Sequence, residues 1–217
     1  MQNVKKFFTL YKMIDEASVE NKTSNPLMES EPEIKSGHPW IKKALEITRA
    51  FIVPIAVVLL FRFYVVQPFI VRGASMEPSF EDREYLIIDE ITPVLRPLSR
   101  GSVIVFRYPL HPSDFFIKRI IGLPGERVVI KNGQVSVRNT TGEELVLQET
   151  YLARGTITVG VVDVNLSDDS YFVMGDNRNF SSDSRQWGIL SKDLITGRAV
   201  LRLWPPERVG VIKGVSY

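Results

Sequence analysis

One stretch limits the architecture more than any other: AFIVPIAVVLLF, Ala50 to Phe61, twelve residues without a charge, followed by Arg62 and then FYVVQPFIV. At ~1.5 Å per residue the uninterrupted part makes about 18 Å of helix, short of a hydrocarbon core of roughly 30 Å. A helix crossing a bilayer must therefore carry Arg62 near one edge, where its long stem takes the guanidinium to the headgroups. The span then runs from about residue 45 to 66, and Pro54 is tolerated in such a helix. Trp40 and Tyr64 fall where interfacial aromatic residues belong. The competing reading is a buried core helix, against which stands the lack of amphipathic spacing. Lys42, Lys43 and Arg49 crowd the N-terminal flank, while only Arg62 and Arg72 lie close on the other side, so the N-terminus is expected in the cytoplasm. A cleavable leader fits poorly, because RGAS places Arg72 where a small residue is wanted.

Around this run the chain divides into three. Residues 1–40 form a polar leader in which Lys5, Lys6 and Lys12 precede Asp15, Glu16 and Glu20. It has too little apolar surface to order itself, although Phe7, Phe8, Leu10 and Tyr11 could lie on a membrane surface. Residues 41–66 form the expected transmembrane anchor. Residues 67–217 are β-rich: YLIID, GSVIVF, FFIKRII, ERVVIKNGQVSV, YFVMGD and GRAVLRLW are short β-branched or aromatic runs between Pro and Gly turns. Asn132-Gly133 is the strongest hairpin signal. The stretch 138–168 reads as an irregular excursion or small subdomain. The expected fold is mainly β, an antiparallel β domain preceded by one N-terminal transmembrane helix.

Counting excludes several chemistries. There is no cysteine, so disulfides, thiolate nucleophiles and cysteine zinc sites are ruled out. Two histidines, His38 and His111, without HExxH spacing leave a histidine metal centre almost no ligands, and no metal or cofactor is expected. The 27 Lys and Arg are interleaved with 25 Asp and Glu for a net charge of +2, so no basic stripe for nucleic acid stands out.

Acyl transfer needs a nucleophile, a base within reach and donors for the developing oxyanion. In VRGASMEPSF, Ser75 follows Gly73 and Ala74 and precedes Pro78, a setting that lets a substrate backbone approach and fixes a turn. A serine in such a loop is also an ordinary structural residue. On the expected topology the membrane separates His38 from Ser75, and His111 between Pro109 and Pro112 reads as an exposed turn. Lys118 remains, set among Phe115, Phe116, Ile117, Ile120 and Ile121. Burial lowers a lysine pKa by up to about 3 to 5 units, which brings neutral amine within range. Arg119 cannot replace it, because a guanidinium stays charged. Strand period does not say which of the two points inward, and a rim lysine with a snorkelling head is the alternative.

QPFIVRGASMEPSF, RGSVIVFRYP, FFIKRIIGLPGERV and YFVMGDNRNFSSDSRQWG occur in the order and rough spacing of the boxes of bacterial type I signal peptidases, which the chain resembles over about residues 60 to 206. The resemblance implies a Ser-Lys dyad serine protease, with Ser75 as nucleophile and Lys118 as base. It carries the final box onto Gly175, Asp176, Asn177, Arg178, Ser181, Asp183 and Arg185. Ser181 is implied to hydrogen-bond the lysine, and Asp183 and Arg185 to form a supporting ion pair. Some members have a serine two places before the nucleophile that helps bind the oxyanion; here that place is Gly73, leaving the Ser75 amide as one donor and a glycine amide or water for the second. Ser102 stands after Arg100-Gly101 where an acid is usual, with more bearing on packing than on chemistry. Phe69, Val71, Met76, Phe80, Phe116 and Ile117 match substrate-pocket positions, with the leader peptide bound as an added strand. The implied partners are preprotein signal peptides, the lipid bilayer and the secretion machinery. The implied location is the cell membrane, or another energy-transducing membrane such as a thylakoid, with the peptidase domain extracytoplasmic. A catalytically inactive, membrane-tethered peptide-binding homologue and a self-cleaving Ser-Lys regulator are the alternatives; the membrane span and the lack of a DNA-binding segment argue against the latter.

Overall fold

The computed structural model describes residues 43, 47–56, 66–215 and 217. The chain divides into two compact units, Met1–Val65 and Val66–Tyr217. In the first, residues 47–56 are helical and exposed. Among the described residues no helix is long and apolar enough to cross a membrane. The polar leader and much of the expected anchor lie outside the described residues.

The second unit is built almost wholly from antiparallel strands. Its larger sheet runs in the order β1 (Val66–Ile70), β2 (Tyr85–Asp89), β11 (Ile195–Trp204), β3 (Val103–Tyr108), β4 (His111–Gly122), β9 (Ser170–Met174) and β10 (Leu190–Ser191), with β12 (Gly210–Val211) paired to β11. The smaller sheet has the order β7 (Glu144–Val146), β6 (Gln134–Arg138), β5 (Arg127–Lys131) and β8 (Val162–Asn165). Asn132 and Gly133 join β5 to β6 with φ of 53° and 78°, the conformation that the tight hairpin requires. Two parts of the 138–168 excursion therefore form edge strands, β7 and β8, on the sheet that this hairpin begins.

Strands with both faces covered read as continuous apolar runs, and β3 is of this kind: Val103 and Val105 enter one core cluster with Leu86, Ile88 and Ile117, while Ile104 and Phe106 enter another with Ile120 and Val173. The third cluster lies under the smaller sheet, around Val128, Ile130, Val135 and Phe172. Burying a side chain of this size contributes about 1.5–3 kcal/mol, so these clusters fix the β3–β4 pairing firmly. Its register sets Ile104 opposite Lys118 and Val103 opposite Arg119. That pairing places two consecutive cations at the centre of the sheet, on opposite faces of one strand.

Candidate active site

Ser75 lies in the turn that follows β1. Glu77 N–H donates to the Ala74 carbonyl at 3.2 Å and Phe80 N–H to the Met76 carbonyl at 2.9 Å, so the loop coils back on itself. Gly73 adopts φ +83° with open space where a Cβ would point, and its N–H donates to Asp82 Oδ1 at 2.8 Å. The Gly73 amide, one of the two candidates for second oxyanion donor beside water, is thereby engaged by Asp82. Among the described residues the Ser75 N–H has no hydrogen-bond partner.

Lys118 is 3% exposed, and its Nζ stands 2.8 Å from Ser75 Oγ and 2.9 Å from the Ile117 carbonyl it donates to. The Phe116 ring lies 5.3 Å from the same nitrogen. Burial among these groups pushes the ammonium down from 10.5 to about 8, against the smaller opposing pull of Asp183 and Asp176. Arg119, equally buried, keeps its charge as a guanidinium does, and Asp176 balances it with two hydrogen bonds, Nε to Oδ1 at 2.8 Å and Nη2 to Oδ2 at 2.6 Å. Its Nη1 donates to the Gly101 carbonyl at 2.8 Å, and its guanidinium lies 4.3 Å from the Tyr151 ring centroid. One cation is disarmed by desolvation and its neighbour by a carboxylate.

The segment after β9 closes over the nucleophile loop. Asn177 donates its N–H to the Ser75 carbonyl at 3.0 Å and its Nδ2 to the Ala74 carbonyl at 3.1 Å. Gly175 is required by close approach: a Cβ there would collide with Ser181 and with the Ser75 carbonyl. Asp183 is fully buried, accepts from Gly175 N–H at 3.0 Å and pairs with Arg185 Nε at 2.8 Å. Arg185 Nη2 also donates to the Arg178 carbonyl at 2.7 Å. Among the described residues the Ser181 Oγ, buried beside Gly175, has no hydrogen-bond partner, and the lysine amine directs its contacts to Ser75 and Ile117.

Ser75 and Lys118 open onto a cleft of about 770 Å³ whose walls include Phe69, Phe116 and Ile117. Val71, Met76 and Phe80 do not line it; they are at most 2% exposed and pack in the core with Leu86 and Ile88, because the turn that follows β1 folds back over that cluster. His111 is exposed at the start of β4. Among the described residues no cluster of His, Asp or Glu could hold a metal ion.

Residue patterning alone did not single out the Arg119–Asp176 pair, the Asn177 clamp on the nucleophile loop, or the anchoring of Arg178 by Glu149, Thr158 and Tyr151. For the first, two adjacent cations within an apolar strand are the available signal, since one of them needs a buried acid. Nothing near Glu149 or Tyr151 in the sequence marks them.

An alcohol and a desolvated amine in contact on the wall of an open cleft are the parts needed for acyl transfer by a serine with a lysine base. The model of the family described as signal peptidase, peptidase S26, matches residues 44–204, and the chain belongs to that family of peptidases. It is 35% identical over 189 residues to a probable signal peptidase I-2 of Synechocystis, covering 85% of this chain and 80% of the relative. It is 33% identical over 171 residues to a signal peptidase I of Bacillus amyloliquefaciens, covering 74% and 88%. A signal peptidase I of Leptolyngbya laminosa is 36% identical over 160 residues, covering 69% and 74%.

Proposed function

We propose that the chain is a membrane-tethered serine endopeptidase that removes N-terminal signal peptides from exported preproteins through a Ser75–Lys118 dyad. The observation that carries this reading is the 2.8 Å separation of Lys118 Nζ and Ser75 Oγ in a setting that favours neutral amine. Neutral Lys118 takes the Oγ proton as Oγ attacks the scissile carbonyl carbon, and negative charge gathers on the carbonyl oxygen. The Ser75 N–H, without a partner among the described residues, is the donor suited to that oxygen. Collapse breaks the C–N bond, Lys118 returns its proton to the leaving amine, and an ester to Ser75 remains. Water then adds to the ester as Lys118 takes one of its protons; the C–O bond breaks and the proton passes back to Oγ.

The geometry also suits a bound strand. Among the described residues β1 pairs only with β2, and Phe115–Ile117 of β4 pair only with β3, so two strand edges face the cleft with unused backbone groups. A leader peptide in extended form can add to such an edge. Asp183, Arg185 and Asn177 act as positioning residues around the dyad, and the resemblance to the family gives Ser181 as the hydroxyl that bonds the amine. Tethering by residues 41–66, a cytoplasmic N-terminus and encounter with substrates at the secretion machinery complete the reading. Incubating purified chain in detergent with a preprotein tests it: a single cut after the leader is expected, and loss of that cut in Ser75→Ala. Cleavage retained by Ser75→Ala overturns the dyad.

A further inference from the structure

The loop that carries Ser75 leaves β1 at Val71 and returns at Glu84. Its neck is closed by Val71 N–H to the Glu84 carbonyl and Arg83 N–H to the Val71 carbonyl, both at 2.9 Å. Beneath the neck the Glu84 carboxylate, 2% exposed, meets two guanidiniums from far along the chain. Arg202 Nε of β11 is 2.8 Å from it, and Arg208 Nη1, from the helical turn Pro206–Arg208, is also 2.8 Å away. The angles fall short of aligned hydrogen bonds, so this is charge pairing. Burial raises the Glu84 pKa while the two arginines oppose that rise. Arg208 further pairs with Glu81 at 2.6 Å.

The remaining nitrogens reach into the loop. Arg202 Nη2 donates to the Ser79 carbonyl at 2.6 Å, and Arg208 Nη2 donates to the same oxygen at 3.2 Å and to the Pro78 carbonyl at 3.4 Å. The Arg202 guanidinium also covers the Phe80 ring, 4.9 Å from its centroid. Ser75 thus has anchors on both sides in sequence and space: Asn177 on the carbonyls of Ala74 and Ser75, and the two arginines on those of Pro78 and Ser79. Between them runs the turn closed by Phe80 N–H to Met76, so a shift at Ser79 is passed to the nucleophile. None of the three charged residues lines the cleft.

Resting on the Ser75–Lys118 reading, we infer that Glu84, Arg202 and Arg208 form a clamp that positions the Ser75 hydroxyl against Lys118 from outside the cleft. They touch neither substrate nor the reacting atoms, and their effect is on the geometry of attack. A displacement of ~1 Å at such a distance costs up to about 100-fold in rate.

The test uses the full chain in detergent with a preprotein substrate. Arg202→Lys keeps a charge beside Glu84, but one ammonium cannot reproduce the fork that joins Glu84 to the Ser79 carbonyl. Its kcat is expected to fall about tenfold or more, with KM within about twofold and the pH midpoint of cleavage unmoved. Arg208→Lys, at a half-buried site more open to solvent than Arg202, should act in the same direction and keeps the test decisive if Arg202→Lys does not fold. Combining Glu84→Gln with Arg202→Lys should lower kcat little beyond the worse single variant, as expected for residues acting as a unit. Arg127→Lys, in the exposed pair with Asp163, serves as the control with unchanged kcat. A kcat within twofold of the parent in folded Arg202→Lys and Arg208→Lys overturns the clamp, as does a shifted pH midpoint. Loss of cleavage in Ser75→Ala alongside unchanged arginine variants rejects the clamp alone, whereas cleavage by Ser75→Ala rejects the reading beneath it.

Discussion

Lys118 and Ser75 lie 43 positions apart in sequence and meet at 2.8 Å through Nζ and Oγ. The contact joins a central strand to a surface loop, and the chemistry proposed for the chain depends on which charge state the amine holds there.

Replacing Lys118 with Arg keeps a long cationic stem in the same place but supplies no group able to take a proton. Lys118→Arg and Lys118→Ala are both expected to abolish preprotein cleavage, followed by gel or mass spectrometry, while the folded signal by circular dichroism is retained. Turnover in the arginine variant rejects lysine as base.

The pH dependence follows from the depressed lysine. Its folded value of about 8 lies below the ordinary 10.5, so cleavage should rise with pH and reach half its plateau near 8. Between about 8 and 10.5 the unfolded chain binds the extra proton, and stability should therefore rise with pH across that window. At pH 7 the buried ammonium is a net cost of about 3 kcal/mol, from ~1.4 kcal/mol per unit, so Lys118→Met should melt higher than the parent there. An unchanged or lower melting temperature contradicts the assigned burial.

Asp176→Asn leaves Arg119 charged and unpaired in the interior. Such a change costs about 3–5 kcal/mol, readable by denaturant titration, and the Gly175–Asn177 turn it loosens should slow cleavage by roughly 10- to 100-fold.

Much of this was legible in the sequence, and the limits have physical causes. The strands announced themselves because β-branched runs with both faces buried have no other use for that composition, and Asn132-Gly133 marked its hairpin through the left-handed backbone it demands. Ser75 and Lys118 could be named from their motif. The inward aim of Lys118 could not be read from period, since apolar neighbours flank both faces of β4; the register against β3 decides it. Val71, Met76 and Phe80 looked like cleft residues because motif position says nothing about which way a side chain turns. Glu84, Arg202 and Arg208 resemble ordinary surface charges until the loop and the far strand are brought together.

Gly73→Ser tests the oxyanion side. The site has room for the side chain, but φ +83° costs a non-glycine residue about 1–2 kcal/mol. The expected outcome is a lower melting temperature together with a several-fold higher kcat, as the hydroxyl adds a donor that the amide bound to Asp82 cannot provide. A kcat at or below the parent value would show that one backbone donor already suffices.

The two neighbouring cations of β4 make activity unusually sensitive to strand alignment. Were β4 to settle one position out of step with β3, side chains would exchange faces: the guanidinium would be delivered to Ser75 and the amine to Asp176. Such a molecule has the same mass and charge and much of the same secondary structure, yet no base, because arginine never surrenders its proton. Misaligned chains are therefore inert bystanders rather than sluggish enzymes, and a refolded preparation containing them loses specific activity in proportion to their number while its KM stays constant.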